Sequence, residues 1–216
     1  MAVDFGARSR VPHPTFSYFG SDPLPPWPRL LVIGQEPDAH SYATGLAGPY
    51  DLPRGGRVPF WTWSHKAVAR AAGLVDLWGA AKKVNSSPIA YADASPDGYE
   101  VGVGAMGVKP TPGVEALRIH ALALCALPQM ERDACPVVVI SGRADRYAAF
   151  YQTLQSELTR RGTVVVTTRF FGFAPGATAQ ALAAPLLEPQ IQPVIQDVVN
   201  RWVLATGAPV VPDITS

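Results

Sequence analysis

The chain has 216 residues, 48% hydrophobic and 16% charged, with a formal net charge of +1. That composition excludes a disordered chain and fits one compact domain around a buried sheet. Two cysteines, Cys125 and Cys135, are too few for an all-thiolate iron–sulfur site, no Cys/His spacing suggests zinc, and no apolar run approaches the roughly 18 residues of a membrane span.

Residues 1–28 are rich in proline and aromatics, among them Pro12, Phe16, Tyr18, Phe19 and Pro23. They predict an irregular arm packed on a single domain spanning 29–216. Met1 to Arg10 contain no apolar leader-like stretch, so a cytoplasmic protein is expected. Four β-like runs follow: Arg29–Gly34, Ala81–Ser86, Pro136–Ser141 and Thr163–Thr168. The first, third and fourth are nearly continuous apolar runs, the pattern of strands covered on both faces.

Helical patterns lie between and after them. Trp61–Ala72 stops at Gly73, Gly113–Leu127 carries a stripe of Val114, Leu117, Ala121 and Leu124, and Arg143–Arg161 closes at Gly162. The tail Gln190–Thr206 aligns Val194, Ile195, Val198 and Trp202. Cys125 on an apolar helix face and Cys135 just before a strand read as buried free thiols. Strands alternating with helices predict an α/β fold: a three-layer α/β/α sandwich around a four-stranded parallel sheet. In such sheets ligands bind at the carboxyl ends of the strands.

Three strand ends therefore carry the candidate chemistry. The first leaves the sheet as Gly34-Gln35-Glu36-Pro37-Asp38, a tight turn with two carboxylates. The second is expected to end at Asn85-Ser86-Ser87, where an amide donates and accepts side by side and so matches a pyrimidine edge. The fourth leads into Thr168-Arg169-Phe170-Phe171-Gly172-Phe173, one cation among three rings.

Gly34-Gln35-Glu36-Pro37 resembles the water-activating motif of the uracil-DNA glycosylase superfamily, and Asn85 resembles its pyrimidine-reading asparagine. PVVVISGRADRYAAF resembles the strand and helix that follow, so the likeness covers roughly residues 29–176. The resemblance implies a uracil-DNA glycosylase-like fold and a DNA glycosylase that works without metal or organic cofactor. Glu36, with Asp38 in reserve, would be the catalytic carboxylate; Gln35, Asn85 and Phe60 would bind the base. Arg169, Ser86 and Ser87 would contact the leaving group or the DNA backbone. The partner is single- or double-stranded DNA, no membrane is involved, and a monomer is expected.

Two departures stand out. Thr168-Arg169-Phe170 replaces the family's His-Pro-Ser, and Asp38 stands where the uracil-specific branch has a tyrosine that walls off the C5 methyl of thymine. An open C5 side admits larger pyrimidines, such as hydroxymethylated or glucosylated cytosine in phage DNA, so repair and anti-phage defence are both expected roles. The long insertion Ala92–Pro112 would add a recognition loop.

Plainer readings stand beside these. Glu36 and Asp38 can cap a turn, Asn85 can satisfy nearby backbone, Arg169 can pair on the surface, and the phenylalanines can be core. His40 and His65 read as surface or helix residues. Gly102–Gly107 fits a dinucleotide pattern, but Pro110 and Pro112 follow at once and break the helix it needs. Basic pairs such as Lys82-Lys83 and Arg143/Arg146 read as solvated faces or phosphate contacts. The alternative functions are a nucleoside or nucleotide hydrolase on a similar sheet, and a DNA-binding module whose catalytic site has decayed.

Overall fold

The computed structural model describes residues 26–35, 59–95, 112–169, 171 and 178–214. The first strand, β1 (Leu30–Gly34), is followed by helices α1 (Pro59–Ala71) and α2 (Leu77–Val84) and by β2 (Ile89–Asp93). Then come α3 (Val114–Ala126), β3 (Val137–Ser141), α4 (Ala148–Arg160), β4 (Val164–Thr168), the short α5 (Ala179–Ala183) and α6 (Gln192–Thr206). The four strands are parallel and lie in the order β2-β1-β3-β4. Strand order therefore reverses between β1 and β3, and the crevice at such a switch point is the ordinary place for a ligand.

Alternation along the strands divides the core in two. Leu30, Val32, Ile89, Tyr91, Val137, Val139 and Val166 pack with residues of α1, α2, α5 and α6. Leu31, Ile33, Ala90, Ala92, Val138 and Ile140 pack with α3 and α4. Helices on both faces explain why β1 and β3 are fully buried, apolar from Leu30 to Ile33 and from Val137 to Ile140, with the small Gly34 and Ser141 at their carboxyl ends. Cys125 and Cys135 are buried and free. No helix among the described residues is long and apolar enough to cross a membrane.

One element differs from the sequence expectation. Residues 81–86 are not a strand; they are the second half of α2 and its exit. Asp76 caps the helix by accepting from the Gly79 amide at 2.9 Å, and Leu77, Ala80 and Ala81 face the core. Asn85 ends it in the left-handed region (φ 49°, ψ 44°), the conformation for which asparagine is the commonest non-glycine choice. The second strand starts only at Ile89. The insertion expected from Ala92 likewise starts later, because Ala92 and Asp93 belong to β2.

Candidate functional site

The registers set the site. Leu30 pairs with Ile89 and Gly34 with Asp93, so Asp93 and Gly34 end side by side at the carboxyl edge. The chain continues as a short parallel extension: the Ala94 amide donates to Gly34 O at 3.1 Å and the Ser95 amide to Gln35 O at 2.9 Å. His120 on α3 donates from Nε2 to Asp93 O at 2.9 Å, so the Asp93 backbone is held from a second direction.

Gly34 is glycine for a steric reason. A Cβ there would collide with the Asp93 carboxylate, and Cζ of Phe60 lies 3.4 Å from where that Cβ would stand. The carboxylate thus lies across the end of β1, beside an aromatic ring. Phe60, in the first turn of α1, is half-buried and packs against Tyr91 and Phe171 at centroid distances of 5.8 and 6.2 Å. The Phe171 amide donates to Ser141 Oγ at 2.8 Å, tying the chain after β4 to the end of β3. Arg169, the first residue after β4, is exposed, and Gln35 is half-buried.

Tyr151 of α4 feels the Asp93 charge, and Arg143 lies against Tyr151. Burial, and after it the Asp93 charge, push the Tyr151 phenol up to about 12, so it remains a hydrogen-bond donor at neutral pH. The Arg143 guanidinium sits 6.0 Å over the Tyr151 ring and donates to Gln155 Oε1 at 2.6 Å. Asp93, Gln35, three aromatic rings (Phe60, Phe171 and Tyr151) and two arginines (Arg143 and Arg169) thus share the carboxyl edge.

Three of the expected site residues are placed at this edge: Gln35, Phe60 and Arg169. Glu36 and Asp38 themselves lie outside the described residues, as do His40, most of the N-terminal arm, the Gly102–Gly107 pattern, Phe170 and Phe173.

Asn85, Ser86 and Ser87 belong to the opposite edge, which corrects their expected place beside the acidic turn. They precede Ile89, the residue opposite Leu30 at the start of β1. A five-residue parallel strand separates its two ends by about 13 Å, whereas a base contact needs donor and acceptor within about 3 Å. Asn85 is exposed, while both serines are buried and already bonded. Ser86 Oγ accepts from Trp202 Nε1 at 3.2 Å, and Ser87 Oγ bonds His65 Nε2 at 3.0 Å and accepts from the Ile89 amide at 3.0 Å.

His65 is helical as expected but completely buried. Its Nδ1 faces Trp61 O at 2.8 Å and Tyr91 Oη at 3.1 Å, and Tyr91 Oη pairs with Ser64 Oγ at 2.7 Å. A carbonyl can only accept, so Nδ1 carries the proton and Nε2 accepts from Ser87. Burial lowers the His65 pKa to about 4, and it stays neutral at physiological pH. This buried network braces α1 against β2.

Sequence reasoning missed Asp93. Its signal was a short apolar run, Ile89-Ala90-Tyr91-Ala92, after a proline and before an acid. The comparisons add no relative: no family model, no curated protein and no solved structure matches this chain.

Proposed function

We propose that the chain is a DNA glycosylase of the uracil-DNA glycosylase type, hydrolysing the N-glycosidic bond of an everted pyrimidine to leave an abasic site. One observation carries the reading. At the point where Gly34-Gln35-Glu36-Pro37 leaves the sheet, a carboxylate and an aromatic ring close over Gly34, beside the switch point of a parallel sheet.

The chemistry needs what this edge supplies. A base inside a duplex is out of reach, so the nucleotide is everted at a cost of a few kcal/mol, least for a mismatched or unpaired base. Phe60 offers the everted ring an aromatic edge. As the C1′–N bond breaks, positive charge grows on the sugar and negative charge on the base. Glu36, with Asp38 in reserve, stabilises the cation and orients the water that adds to C1′; the water's second proton passes to that carboxylate. Arg169 is a permanent cation on the strand-end loop, suited to the anionic oxygen of the departing base. Removing one preorganised donor from an oxyanion-type site costs about 100- to 1,000-fold in rate, which sets the scale expected here.

Labelled oligonucleotides carrying uracil, thymine opposite guanine, hydroxymethylcytosine or its glucosylated form test the proposal, with strand breakage after alkali as the readout. Abasic sites are expected on at least one of them, and Glu36→Gln or Asp38→Asn is expected to cut the rate by about 100-fold or more. No breakage on any substrate contradicts the reading. Release of base from free deoxynucleosides alone would favour a nucleoside hydrolase.

A further inference from the structure

Asp93 stands at the end of β2, where the reading of Ala81–Ser86 as a strand had placed Asn85. We infer that Asp93 selects the base, and that the preferred base carries an exocyclic amino group beside a ring nitrogen, as cytosine does, in preference to uracil. The inference rests on the glycosylase reading and gives it a substrate class.

A primary amide has a donor and an acceptor side by side, so it can pair with the N3–H and O4 of uracil. A carboxylate has acceptors alone. Against uracil, one carboxylate oxygen takes N3–H while the other faces the lone pairs of a ring carbonyl. Against cytosine, one oxygen accepts from the 4-amino group, and a single proton shared between the other oxygen and N3 completes a two-point pair. That proton also serves the reaction. When the C1′–N1 bond breaks, the electron pair moves onto the ring, where the proton shared with N3 and the Arg169 cation together offset the growing negative charge, while water adds to C1′ and its proton goes to the turn carboxylate.

The carboxylate is positioned for such a role before any ligand arrives. Its backbone is fixed by the Gly34 register, by the Ala94–Gly34 hydrogen bond and by His120. Its side chain lies over Gly34, against the place where a Cβ would be, and next to Phe60. A base set against the Phe60 ring edge would lie beside that carboxylate. With two oxygens and about four lone-pair directions, the group can keep protein partners and still accept from a base.

Two substrates that differ at the edge alone give the test: oligonucleotides carrying 5-hydroxymethylcytosine or 5-hydroxymethyluracil, compared under single turnover. The wild-type protein is expected to favour the cytosine by about 10- to 100-fold, the discrimination of a good two-point pair. Asp93→Asn is expected to reverse the preference towards the uracil. A wild-type preference for the uracil overturns the inference and leaves the glycosylase reading standing. Equal loss on both substrates in a folded Asp93→Asn protein also overturns it, since a merely structural residue would behave so. The wild-type comparison stands even where the variant fails to fold. Excision of neither base, nor of any other in DNA, overturns both.

Discussion

Serines, an asparagine and a histidine line the amino edge of the sheet; a glutamine, an aspartate and arginines line the carboxyl edge. At the amino edge Ser86 and Ser87 are buried and bonded to Trp202, His65 and the Ile89 amide. Asn85 shapes a helix exit. At the carboxyl edge Asp93 lies across a glycine, Phe60 stands beside it, and Arg169 is exposed. The buried serines and His65 thus serve cohesion at the amino edge; at the carboxyl edge Ser141 does the same, while half-buried Asp93 and exposed Arg169 stand at the strand ends. Substitutions at the two edges should separate accordingly, into losses of stability and losses of rate.

The largest stability effect is expected at Trp202, which is fully buried and ties α6 to Ser86. Trp202→Ala removes the whole ring and leaves the Ser86 hydroxyl without that donor, a cost of about 3–5 kcal/mol. In a chain of this size that lowers the melting temperature by roughly 10 °C. Excision per folded molecule, measured well below the transition, should stay close to wild type. A large loss of rate with the melting temperature unchanged would reverse the assignment of the amino edge.

The next effect is a pH dependence. His65 binds its proton less readily in the folded protein than in the unfolded chain, because burial disfavours the charged ring. Its contribution is complete above pH 6.5 and is lost as the pH falls from 6.5 to about 4. Over that window the folded state loses about 3 kcal/mol relative to the unfolded state. Denaturant midpoints at pH 7 and pH 4.5 should show it, and His65→Gln, which cannot titrate, should flatten that part of the profile. An unchanged acid slope in His65→Gln would contradict a His65 held neutral by burial.

The smallest effect is expected at Asn85. Glycine adopts the left-handed conformation without the Cβ penalty, so Asn85→Gly should be neutral or stabilise by less than about 1 kcal/mol. Equilibrium unfolding of the variant measures it, and a destabilisation beyond that size would mean that the Asn85 side chain holds more than a helix exit.

Much of the fold was legible in the sequence. The strands β1 and β3 are near-continuous runs of branched aliphatics, the pattern of a doubly covered parallel strand, whereas β4 carries a similar run at the sheet edge, where Val164 and Val165 are half-buried and Thr167 is exposed. Helices α1, α3, α4 and α6 announced themselves through apolar spacing, with Gly73 and Gly162 beyond the ends of α1 and α4. The second strand was misread for a physical reason: two of its five residues are alanine and it ends in an acid, while Lys82-Lys83-Val84 before it looks briefly extended. The better clues were Asp76 three residues before Gly79, and Leu77, Ala80, Ala81 and Val84 at helical spacing. An asparagine after such a run is a helix cap before it is a base reader.

The candidate site was legible in part. A strand that ends in glycine and turns polar identified Gly34-Gln35, and the loop after β4 identified Arg169. The role of Asp93 depends on the Gly34 register and on a missing Cβ, and neither can be seen until the strands are paired.

The central claim is that chemistry belongs to the carboxyl edge and not to the amide, hydroxyl and imidazole groups of the other. Its most direct measurement is the excision rate of Gly34→Ala set beside that of Asn85→Gly, with thermal unfolding confirming that both are folded. A Cβ on Gly34 must displace the Asp93 carboxylate, and a displacement of about 1 Å at a reacting site costs on the order of a hundredfold. The account predicts that loss for Gly34→Ala and wild-type rate for Asn85→Gly. Full activity in the first and loss in the second would contradict it.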